Sequence, residues 1–189
     1  MLIGNLSELN RDPSGGGRRL SLGQGEYGVS DEPDLVLTTV LGSCVAACIH
    51  DPVARVGGMN HFVLPQRRLG SSGDPARYGD DLMPRLIEGL LQAGARQSRL
   101  EAQLFGGASP GRFVNSIGED NLAFAYDFLD RLGVRVAPPQ QSGPAGCRID
   151  FRPADGHVKH VPLARLEKAQ ARRIILPRVK PLNLTPVAA

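Results

Sequence analysis

The sequence has no tryptophan, and aromatic residues fill only 5% of its 189 positions. A base-stacking surface is therefore poorly supplied, and nucleic acid is not expected as a partner. Charge of one sign is not in excess either. Lys and Arg total 22 against 19 Asp and Glu, a formal net charge of +3, too mild for an electrostatic footprint on a polyanion. No apolar run approaches the roughly 20 residues a membrane span needs, so no direct membrane insertion is expected. The opening MLIGNLSELNRD lacks a basic segment followed by an apolar one and does not read as a secretory signal. Cysteine is scarce and odd in number: Cys44, Cys48 and Cys147. Free thiols in a reducing cytoplasm are the simplest account.

Glycine (23) and proline (15) are plentiful, which favours many turns and a strand-rich body. Apolar residues at 41% and charged residues at 22% suit one packed domain. We divide the chain into a flexible, glycine-rich leader over 1–19, a domain over 20–163, and a basic, proline-containing tail over 164–189. Strands are expected at 35–41, 44–50, 56–64, 100–105, 134–137, 147–152 and 157–161. Helices are expected over about 80–93, where Leu82, Leu86 and Leu90 form one apolar row, and over about 119–132. The fold class is α+β or mixed α/β, with helices covering strand faces.

Asp51-Pro52-Val53-Ala54 is turn-compatible, so 44–50 and 56–64 read as a hairpin. A turn made of those four residues faces His50 to Arg55 and sets Cys44 opposite His61, on one face of the pair. A thiol beside an imidazole is a plausible nucleophile and base. The imidazole takes the thiol proton, the thiolate attacks an amide carbon, and the imidazolium protonates the departing nitrogen. Gly42 and Ser43 offer small residues whose N–H groups could face an oxyanion, and Thr38 or Thr39 could hold the ring. The competing readings are core-filling cysteines and a zinc site from Cys44, Cys48, His50 and His61. The second suffers because Cys44 and Cys48 stand about 13 Å apart in an extended strand. His50, His157 and His160 are expected to be solvated or structural.

The run Leu41-Gly42-Ser43-Cys44-Val45-Ala46, then Cys48, Asp51-Pro52, Gly57-Gly58-Met59-Asn60-His61-Phe62 and Leu64-Pro65, resembles the chemoreceptor glutamine deamidase family, CheD. The likeness continues through Tyr78-Gly79-Asp80, Leu100-Glu101-Ala102, Phe105-Gly106-Gly107-Ala108 and Ile117-Gly118-Glu119-Asp120-Asn121, covering about residues 20–162. It implies layered mixed β-sheets with two main helices outside, similar to the catalytic domain of deamidating toxins. It implies a cytoplasmic enzyme that converts glutamines of chemotaxis receptor helices to glutamate. The nucleophile would be Cys44, the base His61 and the third residue Thr38, acting through a thioester with no metal or organic cofactor. Some relatives also hydrolyse receptor methyl esters, and some bind the phosphatase CheC. The alternative is a non-catalytic signalling adaptor that binds receptors or CheC. Cys147 stands where the family usually carries Arg, and Val158-Lys159-His160-Val161 is less basic than typical.

Overall fold

Side-chain alternation decides the architecture. In the strand Leu35–Leu41 (β4), Leu35, Leu37, Thr39 and Leu41 share one face while Val36, Thr38 and Val40 share the other. In Val45–Asp51 (β5) the odd positions Val45, Ala47 and Ile49 pack into one apolar cluster, and Ala46 and Cys48 pack into another. Two faces, each apolar, require two covers. The computed structural model, which describes residues 1–6, 18–68, 70, 73–108, 117–138, 140–141 and 146–163, supplies them as three layers.

The remaining strands are Leu2–Gly4 (β1), Arg18–Ser21 (β2), Tyr27–Ser30 (β3), Val56–Asn60 (β6), Glu101–Gly106 (β7), Arg135–Val136 (β8), Gln140–Gln141 (β9), Cys147–Arg152 (β10) and His157–Pro162 (β11). One sheet runs β1-β3-β6-β5-β7-β8 with β9 also beside β7, and the other runs β11-β10-β4-β2. The helices Gly79–Gln92 (α1) and Ile117–Arg131 (α2) cover the outer face of the larger sheet. Leu82, Met83, Leu86 and Leu90 of α1 and Ala125 and Leu129 of α2 join Val45, Ala47 and Ile49 in that core. The second core lies between the sheets. It holds Leu35, Leu37 and Leu41 against Ala46, Cys48, Met59 and Phe105, closed by Cys147, Ile149 and Phe151.

The α+β class and its two outer helices are as expected. The edge strand β1 is not, since Leu2–Gly4 pairs antiparallel with β3 where the sequence suggests a loose leader. Leu2 and Ile3 gain apolar cover there, which a free terminus would forgo. Most of the proposed leader (7–17) and the tail from 164 lie outside the described residues. No described helix is long and apolar enough to cross a membrane. Tyr78 stands at the N-cap of α1, with no side-chain capping hydrogen bond. The carbonyls of Leu64 and Pro65 accept from Gly79 N and Asp80 N at 2.8 and 3.1 Å, which ties the helix to the chain leaving β6.

The β5–β6 turn sets the register of the hairpin, and it lies one residue further along the chain than the sequence reading assumed. Asp51 pairs with Val56 and His50 with Gly57, so the loop is Pro52–Arg55. The Asp51 carboxylate accepts from Val53 N and Ala54 N at 2.9 and 3.0 Å, and Arg55 closes the loop in the left-handed region at φ 56°. The same carboxylate, fully buried, accepts from Arg96 N at 2.9 Å and from the Arg99 guanidinium at 2.7 Å. Burial alone would raise its pKa. The Arg99 bond and the three backbone N–H groups outweigh it and hold the carboxyl well below the usual range.

A carboxylate with a depressed folded-state pKa stabilises the fold fully above its unfolded value of about 3.9, and that contribution drains away as pH falls toward the folded-state value. Asp51→Asn should therefore cost about 3 kcal/mol near neutral pH. It should also flatten the acid limb of the stability curve between about pH 4 and 2. Urea unfolding at several pH values checks both. An unchanged midpoint at pH 7 would remove the carboxylate from its assigned place.

Candidate active site

Cys44 lies at the entrance to β5, in a loop gripped from three sides. Val45 and Phe62 exchange both backbone hydrogen bonds, Val45 N to Phe62 O at 3.1 Å and Phe62 N to Val45 O at 3.0 Å. Gly107 N donates to Cys44 O at 3.0 Å and Ala108 N to Gly42 O at 2.8 Å. Gly106 at φ +107° lies so close that a Cβ there would meet Cys44 O at 2.1 Å, so only glycine fits. Asn121 of α2, fully buried, donates from Nδ2 to Ser43 O at 3.0 Å and to Val63 O at 2.9 Å. Its amide thus bridges the cysteine loop and the strand that follows His61. Gly42 and Ser43 are exposed, and Cys44 is 9% exposed.

The register differs by two residues from the sequence reading. Continuing the Val45–Phe62 pair places Cys44 across from Val63 and His61 across from Ala46. A displacement of one would have turned His61 to the helix side, but a displacement of two preserves the face. Cys44 and His61 are therefore diagonal neighbours facing the second sheet, a relation of about 7–8 Å at Cα that longer side chains span.

His61 is 4% exposed, and its ring is fixed by β4. Thr39 Oγ1 lies 2.8 Å from Nδ1 and also donates to Leu22 O at 2.8 Å. With its hydroxyl proton given to Leu22, Thr39 has only lone pairs left for the ring, so the proton between them belongs to His61 Nδ1. Leu22 O, 3.5 Å from the same nitrogen, favours the same tautomer. The other nitrogen, Nε2, keeps a lone pair and is buried with no hydrogen-bond partner among the described residues.

Thr38, the third residue implied by resemblance, is elsewhere. Being one position along β4, it points to the opposite face, where its Oγ1 donates to Asp150 Oδ1 at 2.8 Å and to Ile149 O at 3.0 Å. Arg19 Nη1, 3.2 Å from the same carboxylate oxygen, completes a polar cluster facing away from His61.

Burial pushes the Cys44 thiol up, and its own backbone N–H and the nearby Arg77 charge oppose this only partly. Burial likewise pulls His61 down, against the Leu22 carbonyl and the Glu26 charge. Both shifts disfavour the charged forms. Cys48, buried at 2% exposure, is pushed further up by burial and by Cys147 nearby, which leaves it inert. Among the described residues no three His, Cys, Asp or Glu side chains gather as metal ligands would.

Two contributors escaped the sequence reading. Asn121 stood within the family-like run 117–121, but nothing in the sequence gave it a role at the cysteine loop. Gln24, an exposed residue in the turn before β3, carried none, yet its Nε2 lies 4.0 Å from Cys44 Sγ.

A family model described as CheD chemotactic sensory transduction matches residues 63–161. A protein named probable chemoreceptor glutamine deamidase CheD from Agrobacterium fabrum is 48% identical over 150 residues, 79% of this chain and 83% of that protein. One of the same name from Rhizobium leguminosarum bv. trifolii is 48% identical over 155 residues, 81% of this chain and 84% of its own. A third, from a Caulobacter species, is 43% identical over 157 residues, 82% of each. Among solved structures, a Neisseria meningitidis protein overlaps at TM-score 0.41 and 13% identity over 60% of this chain and 51% of its own, too slight a likeness to carry weight. With relatives 48% identical over about four-fifths of its length, and a family model matching residues 63–161, the chain belongs to the CheD family.

Proposed function

We propose that the protein is a glutamine deamidase acting on chemotaxis receptors, with Cys44 as nucleophile, His61 as base and Thr39 as the residue that orients the base. The names of the relatives support the substrate class. The observation that carries the chemistry is the chain from Leu22 O through Thr39 Oγ1 to His61 Nδ1, which leaves a bare Nε2 on the face shared with Cys44.

A receptor helix presents a glutamine side chain at the exposed Gly42-Ser43 loop. His61 Nε2 takes the thiol proton as Sγ bonds to the carboxamide carbon, and the carbonyl π pair moves onto oxygen. The N–H groups of the 42–44 loop face that oxygen. Collapse breaks the C–N bond, His61 returns its proton to the nitrogen, and ammonia leaves a thioester. Water then gives a proton to His61 and adds to the thioester. The C–S bond breaks, sulfur recovers the proton, and glutamate remains. Each turnover replaces a neutral amide by a carboxylate on the receptor, altering helix-packing electrostatics.

Co-expressed receptor should gain about 1 Da at particular glutamines, and the Cys44→Ala variant should leave them unchanged. Equal deamidation by Cys44→Ala would end this reading of the site. Thr39→Val should lower kcat by about 10²-fold, the scale of a mispositioned base. Thr38→Val should spare kcat and instead cost about 1–2 kcal/mol of stability through the buried Asp150. A reversed outcome would return the orienting role to Thr38. Because His61 must be neutral to act, the acid limb of kcat/KM should have its midpoint below the ordinary imidazole value of about 6.5. A midpoint above that value would mean a resting thiolate–imidazolium pair.

A further inference from the structure

Gln24 is exposed, yet its backbone is fastened to the histidine. Gly25 N donates to His61 O at 2.8 Å and His61 N donates to Glu26 O at 3.0 Å, a two-bond exchange made by the two residues that follow it. The turn is closed by Gly23 N donating to Glu26 Oε2 at 2.7 Å. Asn5 Nδ2 holds Gly25 O at 2.8 Å from the other side. A long polar side chain on so fixed a turn has one described partner, the sulfur of Cys44, toward which its amide donates at 4.0 Å. That is a weak bond for a resting thiol, and a well-placed donor for something that forms next to it. When Sγ bonds to a carboxamide carbon, the new oxyanion lies two bonds from sulfur, where a donor needs to sit about 2.7–3.1 Å from the oxygen. Among the described residues no backbone carbonyl outside the strand ladders takes the Cys44 N–H, which faces its own sulfur.

We propose that Gln24 is a catalytic residue: its Nε2–H and the Cys44 backbone N–H together receive the oxygen of the substrate carboxamide as it becomes an oxyanion. This rests on Cys44 being the nucleophile. The carboxamide stays neutral and undergoes no covalent change. It strengthens one hydrogen bond as the C=O pair moves to oxygen, and it returns to the sulfur when the thioester has been hydrolysed.

The test compares two reactions of Cys44 in the full chain. Deamidation passes through an oxyanion, whereas alkylation by iodoacetamide displaces iodide at a saturated carbon and forms none. Gln24→Ala should lower kcat for receptor deamidation about 10²- to 10³-fold with KM little changed, and should leave the Cys44 alkylation rate unchanged. Gln24→His, which restores a ring N–H, should recover part of kcat. Faster deamidation and alkylation in Gln24→Ala would make the side chain a cover over the thiol and overturn the proposal. So would a fall in alkylation matching the fall in kcat, a rise in KM alone, or no change at all. A gain of about 1 Da at Gln24 in the purified protein, absent from Cys44→Ala, would make it an internal substrate and equally overturn its role as donor. Cys44→Ala run alongside separates the two levels. If it deamidates normally the nucleophile is misassigned, and if it is dead while Gln24→Ala is fully active, only Gln24 is.

Discussion

The paired hydrogen bonds between Val45 and Phe62 fix everything around the sulfur. They join two segments whose regular ladder has already lapsed, because at Asn60 the side-chain Oδ1 replaces the backbone and accepts from Ala47 N at 3.0 Å. Without the Val45–Phe62 pair, Cys44 and His61 would have no common frame. With it, their faces and spacing follow from strand geometry alone. The surrounding contacts are reinforcements of that frame: Asn121 spans its outer side, the Gly106-Gly107-Ala108 loop braces the cysteine, and the Gly25–Glu26 backbone braces the histidine.

Layering explains why the site is where it is. The helix-facing side of the large sheet is filled by Leu, Met and Ile, leaving no room for solvent. The side facing the second sheet is apolar through Leu35, Leu37 and Met59 but opens at the Gly42-Ser43 loop. Cys44 and His61 lie at that rim. Burial disfavours their charged forms, while the adjoining Gly42 and Ser43 are exposed. A deeper placement would resemble that of Cys48, whose thiol is sealed in the core.

Much of this was legible in the residues. Apolar alternation gave β4 and β10 at their observed limits, and the leucine rows gave α1 within a residue. Turn composition gave the hairpin, and its parity put Cys44 and His61 on one face. The register itself was not legible, because the one-residue shift of the turn goes with Asp51 pairing in the strand while its carboxylate folds back onto Val53 and Ala54 and is held by Arg99 from far along the chain. The choice between Thr38 and Thr39 was likewise closed to composition. Adjacent threonines differ only in face, and which face meets His61 depends on how one sheet lies upon the other. Gln24 was invisible for a related reason: it reaches the sulfur through the His61 backbone, a contact between segments with no pattern in common.

Thr39 being an alcohol and not a carboxylate has a consequence for how such a protein would keep between encounters. A carboxylate at that position would lend its charge to an imidazolium and hold the sulfur permanently ionised. A hydroxyl only points the ring. Burial, which raises the thiol pKa, would then keep the sulfur protonated while idle, and a protonated thiol is a poor target for peroxide or stray electrophiles. On the proposed reading reactivity would arise only when an amide sits against it, so the same neutral oxygen that aims the ring would also protect the sulfur during storage.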